Sequence, residues 1–351
     1  MSEEWIDTLE EEEPQFEHFR LNVDAGQEPM RVDKYMSTHL EKTSRNRIQL
    51  AIRNGYVKVG EKTVKANFVV RPGDVIRFLM PYERRGIEVI PQDIPLDILY
   101  EDENLLVLNK PAGMVVHPGH GHYDGTLVNA LAFHLGVKPG ADNDERGGFL
   151  VHRIDKDTSG LLVISKTDEA QLSLAKQFYD HSIDRRYQAI VWGDVKEDSG
   201  TVDAPLERDP SERTRYRIAR DEESGKRAVT HWKVLERFGF VTLLECRLET
   251  GRTHQIRVHM ASTGHPLFND EKYGGSEIRK GTIYAKYRQF IQNCFKICPR
   301  QALHAKTLGF VHPRSGKWMQ FDSALPQDMT ALLDKWRRYS SNMPKEEEDD
   351  A

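Results

Sequence analysis

The stretch "VHRIDKDTSGLLVISKT", residues 151–167, sets a cluster of titratable side chains directly against an apolar run. His152, Arg153, Asp155 and Asp157 fall within six positions. Thr158-Ser159-Gly160 then reads as a turn that feeds the chain into Leu161, Leu162, Val163 and Ile164, a buried strand. Charge is thereby held at the mouth of a core strand. A loop aspartate is ordinarily a cap or the partner of a surface ion pair, here with Arg153, so these residues alone leave a structural and a chemical reading of Asp155 side by side.

Outward from that block the pattern is one of strands and inserted helices. Upstream, "ILYEDENLLVLNKPAGMVVHPG" (98–119) contains a buried strand, Leu105 to Leu108, ending at Lys110-Pro111, and "TLVNALAFHLG" (126–136) reads as a helix capped by Thr126 and stopped by Gly136. Downstream, Leu172, Ala175 and Phe178 form the apolar stripe of a predicted helix, followed by the strand "RYQAIVWG" (186–193). "AVTHWKVLE" (228–236), "FVTLLECRLE" (240–249), "QALHAKTLGFVHP" (301–313) and "KWMQFDSALP" (317–326) read as strands, the last two joined by an "RSG" hairpin signal. A helix with Thr253 as N-cap is predicted in "THQIRVHMASTGHP" (253–266), and another in "TIYAKYRQFIQNCFKI" (282–297), inside a segment, 276–300, that looks like an insertion. The fold class predicted is α+β with a mostly antiparallel sheet, over residues 99–338.

A smaller α+β unit precedes it. "RVDKYMSTHL" (31–40) places Val32, Tyr35, Met36 and Leu40 at helical spacing. "TSRNRIQLAIRNG" (43–55) predicts a second helix capped by Thr43 or Ser44, burying Ile48, Ala51 and Ile52 and stopping at Gly55. "YVKVG" (56–60) and "VIRFLM" (75–80) read as strands, with a Pro72-Gly73 turn between them. This unit is placed at 30–82 and a proline-containing linker at 83–98.

Charge is distributed unevenly. The net charge is −5, but residues 1–29 alone carry −9 and the run "EEEDD" (346–350) carries −5, leaving +9 on the body between them. Residues 1–29 and 339–351 are read as acidic tails, the first without fixed structure. Residues 31–80 hold eleven Lys/Arg against four Asp/Glu. Such a body suits a polyanion, because each phosphate neutralised releases counterions. Arg45, Arg47, Arg53 and Lys58 are the candidate contacts. There is no apolar run long enough to span a bilayer and no leader pattern, so a cytoplasmic protein without membrane attachment is expected. Three cysteines, Cys246, Cys294 and Cys298, provide no disulfide or metal framework. His117, His120 and His122 in "HPGHGH" (117–122) are possible imidazole ligands, but Gly119 and Gly121 make a plain turn the better reading.

Two resemblances follow from these blocks. "RVDKYM", "SRNRIQLAIRNGYVKVG" and "RPGDVIRF" resemble the S4-type RNA-binding module, whose two helices present basic side chains to structured RNA. "VHRIDKDTSGLLVISKT", "RRYQAIVWG", "LETGRTHQIRVH", "LNKPAGMVVHPG" and "LHAKTLGFVHP" closely resemble pseudouridine synthases of the RluA/RluD type, from Val32 to about Pro326. With the S4-like module in front, the likeness is to large-subunit ribosomal RNA members, RluD-like or RluC-like. It implies isomerisation of uridine in RNA, with no metal or redox cofactor.

By that resemblance Asp155 is the catalytic aspartate, Arg257 the arginine paired with it, and Tyr187 the active-site tyrosine. Arg153 is the residue that replaces the everted nucleotide in the RNA stack. Arg252 and His254, at a helix start, are candidate phosphate contacts. Ile154 stands where leucine is usual in the family, and Asn269 where glycine is frequent. The alternative is a non-catalytic RNA-binding or ribosome-assembly protein; Asp155, Tyr187 and Arg257 together argue against it.

Overall fold

A computed structural model describes residues 16–40, 45–53, 55–80, 89–118, 121–137, 150–212, 214–221, 224–281 and 284–342. The chain divides into two units between residues 86 and 87.

In the first unit, β1 (Phe16–Asn22), β2 (Met30–Arg31), α1 (Val32–His39), α2 (Arg45–Arg53), β3 (Val57–Val59), β4 (Lys62–Thr63), β5 (Val69–Val70) and β6 (Val75–Met80) follow one another. A four-stranded sheet in the order β1-β6-β3-β4 covers the two helices, and β2 pairs with β5. Val32, Tyr35, Met36, Ile48, Ile52, Val57, Val70 and Ile76 form its core. Asp33 is fully buried between the helices and accepts hydrogen bonds from Arg31, Arg45 and Gln49. Burial alone would raise its pKa, but these donors hold it at about 2. The caps Thr43 and Ser44 lie outside the described residues.

The acidic N-terminal segment departs from expectation here. Instead of lacking structure through residue 29, it supplies β1, which pairs antiparallel with β6. The acids are concentrated in the first thirteen residues, whereas Phe19, Leu21 and Val23 are spaced two apart and complete the edge of β6.

The second unit contains β7 (Asp97–Glu101), β8 (Leu105–Lys110), α3 (Leu127–His134), β9 (Ser159–Ser165), α4 (Asp168–Tyr179), β10 (Asp184–Trp192), β11 (Ser199–Asp203), β12 (Leu206–Arg208) and β13 (Tyr216–Ile218). Then come β14 (Val229–Arg237), β15 (Val241–Leu248), α5 (Gln255–Ser262), α6 (Ala285–Ile297), β16 (Leu303–Val311), β17 (Trp318–Asp322) and α7 (Gln327–Ser341). Nine strands form one sheet in the order β11-β14-β15-β10-β16-β9-β8-β7, with β17 also on β16; β12 and β13 form a separate hairpin. Every pair is antiparallel except β9 with β16. The alternation of β10 divides the core. Tyr187, Ala189 and Val191 face a cluster with α3 and α5, while Ile190 and Trp192 face one with α6 and α7.

Three boundaries and one helix face differ from the sequence reading. Residues expected in the linker belong to this unit: Gln92 is bonded to Asn129 and Gly125, and Leu96 packs on the core. The buried stripe of α4 is Ala170 and Leu174, with Phe178 partly covered, while Leu172 and Ala175 face solvent, because the Thr167 cap sets an i, i+4 register. The N-cap of α5 is His254, at φ 58°, rather than Thr253. Finally, α7 runs to Ser341, three residues beyond the expected end of the domain, where Tyr339 still packs on Phe290. The 276–300 insertion is a core element: Tyr287, Ile291, Cys294 and Cys298 of this region are buried beneath α7. Cys246 is buried too, and all three thiols are free.

Candidate active site

The approach to β9 explains why so much charge stands at its mouth. Thr158 N–H donates to Asp155 O, closing the turn. At Gly160 (φ 118°) a Cβ would lie 2.3 Å from the carbonyl oxygen of Ala305, so only glycine lets β9 run against β16. Two buried cations then fasten the turn. Lys110 Nζ donates to the carbonyls of Lys156 (2.9 Å), Pro111 (2.8 Å) and Met114 (2.9 Å). Arg300 Nη1 donates to Asp157 O (2.9 Å), while its Nε and Nη2 hold Asp328 at the start of α7. Burial pushes Lys110 down to about 7; three carbonyl acceptors require the ammonium, since a neutral amine has only two N–H groups. Neither residue was legible as a site component. Lys110 reads as the end of a strand, and Arg300 lies 145 residues from Asp155 in the chain.

Held in this way, Asp155 presents Oδ2 to Arg257 Nη1 at 3.0 Å. Arg257 rises from the first turn of α5 and is 6 % exposed. Its other edge is gripped by Asp270, which is fully buried: Nε to Oδ2 at 2.7 Å and Nη2 to Oδ1 at 2.9 Å. Burial by itself would lower the guanidinium pKa, yet Asp270 and Asp155 together raise it. Asp270 also accepts the backbone N–H groups of Lys272 and Tyr273. Sequence reading noted "FNDEKYGG" (268–275) only for Asn269. That residue sits at φ 57°, where asparagine substitutes for glycine at low cost, and it donates to the carbonyl of Cys298 at the end of α6. The aspartate beside it was missed because a lone acid in a turn has no distinguishing spacing.

Tyr187 lies at a bulge in the β10–β16 ladder and is 8 % exposed. Burial, with Asp155 nearby, raises its pKa, so at neutral pH it presents a neutral ring and hydroxyl. His254 lines the same cleft, its ring hydrogen-bonded to Tyr273 Oη (2.8 Å) and 3.9 Å from Asp155 Oδ2. Burial lowers its pKa to about 4, so it is neutral at pH 7. Arg252 is exposed and donates to the carbonyl of Arg227. Arg153 donates to Thr253 Oγ1 and, among the described residues, forms no ion pair with Asp155 or Asp157.

These groups border a cleft of about 650 Å³, lined by Arg153, Asp155, Tyr187, Arg252, His254 and Arg257 among others. A smaller one of about 370 Å³ shares Arg153, Asp155 and Arg257 and adds Lys156, Asp157 and Lys272. A single carboxylate in a cleft, fixed by a buried guanidinium and faced by an aromatic ring, fits nucleophilic or base chemistry on a flat, polar, base-sized substrate. Among the described residues no three His, Cys, Asp or Glu side chains converge to hold a metal ion. His120 lies outside those residues.

In the first unit the four candidate RNA contacts separate. Arg45 is tied to Asp33 with half of its side chain exposed. Arg53 is exposed, and Lys58 is half-buried on β3. Arg47 belongs to α2, with its side chain outside the described set.

Comparison with known proteins converges on one group. Residues 104–262 match the RNA pseudouridylate synthase family and residues 30–76 the S4 domain. An uncharacterised RNA pseudouridine synthase of Bacillus subtilis is 45 % identical over 91 % of this chain and 99 % of its own length. A ribosomal large subunit pseudouridine synthase D of Zymomonas mobilis is 47 % identical over 86 % and 92 %. The solved structure of human RNA pseudouridylate synthase domain containing 1 shares the fold, with a TM-score of 0.51 at 24 % identity, over 72 % of this chain and 97 % of that one.

Proposed function

Because the chain belongs to the RNA pseudouridine synthases, we propose that it isomerises uridines of large-subunit ribosomal RNA, with Asp155 as the carboxylate that acts on the ribosyl–uracil linkage. The observation that carries this is the Asp155–Arg257–Asp270 arrangement in a cleft that Tyr187 backs. The reaction breaks the bond between ribose C1′ and N1 and forms one between C1′ and C5; C5 gives up its proton and N1 takes one up, so the product is an isomer. It needs an ionised carboxylate at C1′, and the Arg257 guanidinium favours that ion in a partly dehydrated cleft. Tyr187 offers its ring for stacking on the detached uracil, which must turn without leaving. Its hydroxyl, in the lining of the same cleft, is the candidate for the C5 proton step. Arg153, without an acidic partner among the described residues, suits the gap left when the uridine is extruded from its stack.

The large-subunit target is supported by the name of the Zymomonas relative and by the basic S4 unit, which supplies affinity for phosphate and shape. In this reading the protein works in the cytoplasm, on ribosomal RNA or a pre-ribosomal particle. No helix among the described residues is long and apolar enough to cross a membrane. The test is Asp155→Asn beside Asp157→Asn, with pseudouridine mapped in ribosomal RNA. Asp155→Asn abolishes isomerisation and leaves RNA affinity within severalfold; Asp157→Asn, whose backbone rather than carboxylate is held by Arg300, keeps turnover within severalfold. Substantial product from a homogeneous Asp155→Asn preparation would falsify the assignment.

A further inference from the structure

Two residues before Tyr187 on β10, and so on the same face of the strand, Arg185 lies beneath the active cleft. It is 8 % exposed, yet among the described residues no carboxylate pairs with it. Its hydrogen bonding is poor. Nη2 reaches the carbonyl of Glu249 at 3.5 Å, and Nε is buried without a partner. The flat side of the guanidinium rests on Phe178, with Cζ 5.3 Å from the ring centroid. Of its other polar neighbours, Tyr187 is a neutral phenol and His152 offers no compensation either. Its Nε2 accepts the N–H of Val163 and the ring stacks on Phe178, so it is a neutral imidazole whose proton is on Nδ1.

A guanidinium keeps its charge under burial, and an unpaired buried charge costs several kcal/mol. Among the described residues every other buried Lys or Arg of this unit is matched: Lys110 by three carbonyls, Arg257 by two aspartates, Arg300 by Asp328 and carbonyls. Arg185 is the exception, and it opens on the cleft. Beside it is Gly251, where a Cβ would fall 2.6 Å from Nη1, so glycine is what lets the guanidinium lie against the chain there, and both residues line the cleft. A carbonyl of uracil would satisfy a donor there without neutralising the charge; a phosphate would do both.

We infer that Arg185 is an anion seat inside the active cleft, taking a phosphate of the RNA strand at the everted uridine. The seat anchors the nucleotide by its backbone while C1′ lies at Asp155 and the uracil is left free to turn. A cleft of about 650 Å³ is roomy enough for a nucleotide with its phosphate. This rests on the placement of the uridine at Asp155, but it is tested by binding alone.

The probes are uridine, uridine 5′-monophosphate and uridine 3′-monophosphate, titrated against the full-length protein and against Arg185→Met and Arg185→Lys. In the unmodified protein one of the two monophosphates binds at least tenfold tighter than uridine. Arg185→Met removes that preference while uridine affinity stays within twofold, and Arg185→Lys restores part of it. Asp155→Asn leaves the preference intact, which separates this inference from the catalytic assignment. The unfolding temperature of Arg185→Met is equal to or above that of the parent, because an uncompensated charge has been replaced by an apolar chain. A preference that survives Arg185→Met, or is absent from the parent, places the phosphate elsewhere and overturns the inference. So does an equal loss of uridine and nucleotide, which would make Arg185 a reader of the base. A fall in unfolding temperature with unchanged preference would reduce it to a structural residue.

Discussion

Replacing Asp270 by asparagine removes one negative charge from a buried pair, Arg257 and Asp270, that adjoins the half-buried Asp155, while keeping the size of the side chain. Two charge-assisted hydrogen bonds, at 2.7 and 2.9 Å, lose their ionised acceptor. Taking one partner from a buried pair costs about 3–5 kcal/mol. The amide oxygen still accepts one bond, and Asp155 still neutralises Arg257, so the lower end, about 3 kcal/mol of stability, is expected. The kinetic effect follows from geometry. Arg257 is located by Asp270 on two of its nitrogens and by Asp155 on one. Without its stronger anchor it follows Asp155, shares its whole charge with that carboxylate and lowers its reactivity in the proposed chemistry. If about 2 kcal/mol of the lost interaction is expressed in the transition state, turnover falls about 30-fold. The assay is single-turnover release of tritium from C5-labelled uridine in large-subunit ribosomal RNA at saturating enzyme, with RNA affinity and the urea midpoint measured in parallel. Affinity is expected to hold within about threefold. A variant with a lowered urea midpoint but turnover within twofold of the parent would refute the positioning role and leave Asp270 a structural partner.

Acid should destabilise the second unit in a defined window. His152, His254 and His304 are driven by burial to about 3, 4 and 4, against 6.5 in the unfolded chain. The unfolded chain therefore binds more protons as pH falls, so stability is complete above about pH 6.5 and is lost progressively toward pH 4. At pH 5.5 each histidine costs roughly 1 kcal/mol. A urea midpoint unchanged between pH 7 and 5.5 would contradict this. For the S4 unit, a chain beginning at Ile87 should still modify a short RNA at high concentration, but bind large-subunit RNA more weakly and with a shallower dependence on salt, since fewer phosphates are neutralised. An unchanged salt slope would mean that RNA is anchored elsewhere.

Much of this protein was legible in the amino-acid order alone, because the signals involved are local. Strand periods, the Thr126 cap, the glycine stops and the apolar run after Gly160 reflect interactions spanning a few residues and appear in the fold, whereas the buried face of α4 and the cap of α5 lie one or more residues from where the sequence pattern puts them. The blocks around Asp155, Tyr187 and Arg257 were readable as a family pattern, and the structure brings the three to one cleft. What sequence could not supply depends on distance along the chain. The insertion of β16 between β9 and β10, parallel to one and antiparallel to the other, is a matter of pairing that no local period encodes. It is this arrangement that carries Arg300 under the Asp155 turn and sets Tyr187 beside it. The same holds for charge. Arg45, Arg185, Arg252 and Arg257 are equivalent letters in the sequence, but their surroundings differ. One is tied to a buried aspartate in the first unit, one is buried with no carboxylate partner among the described residues, one is exposed, and one is gripped by two carboxylates. The function of a guanidinium is set by its solvation and by the charges that face it, and both are properties of the tertiary structure.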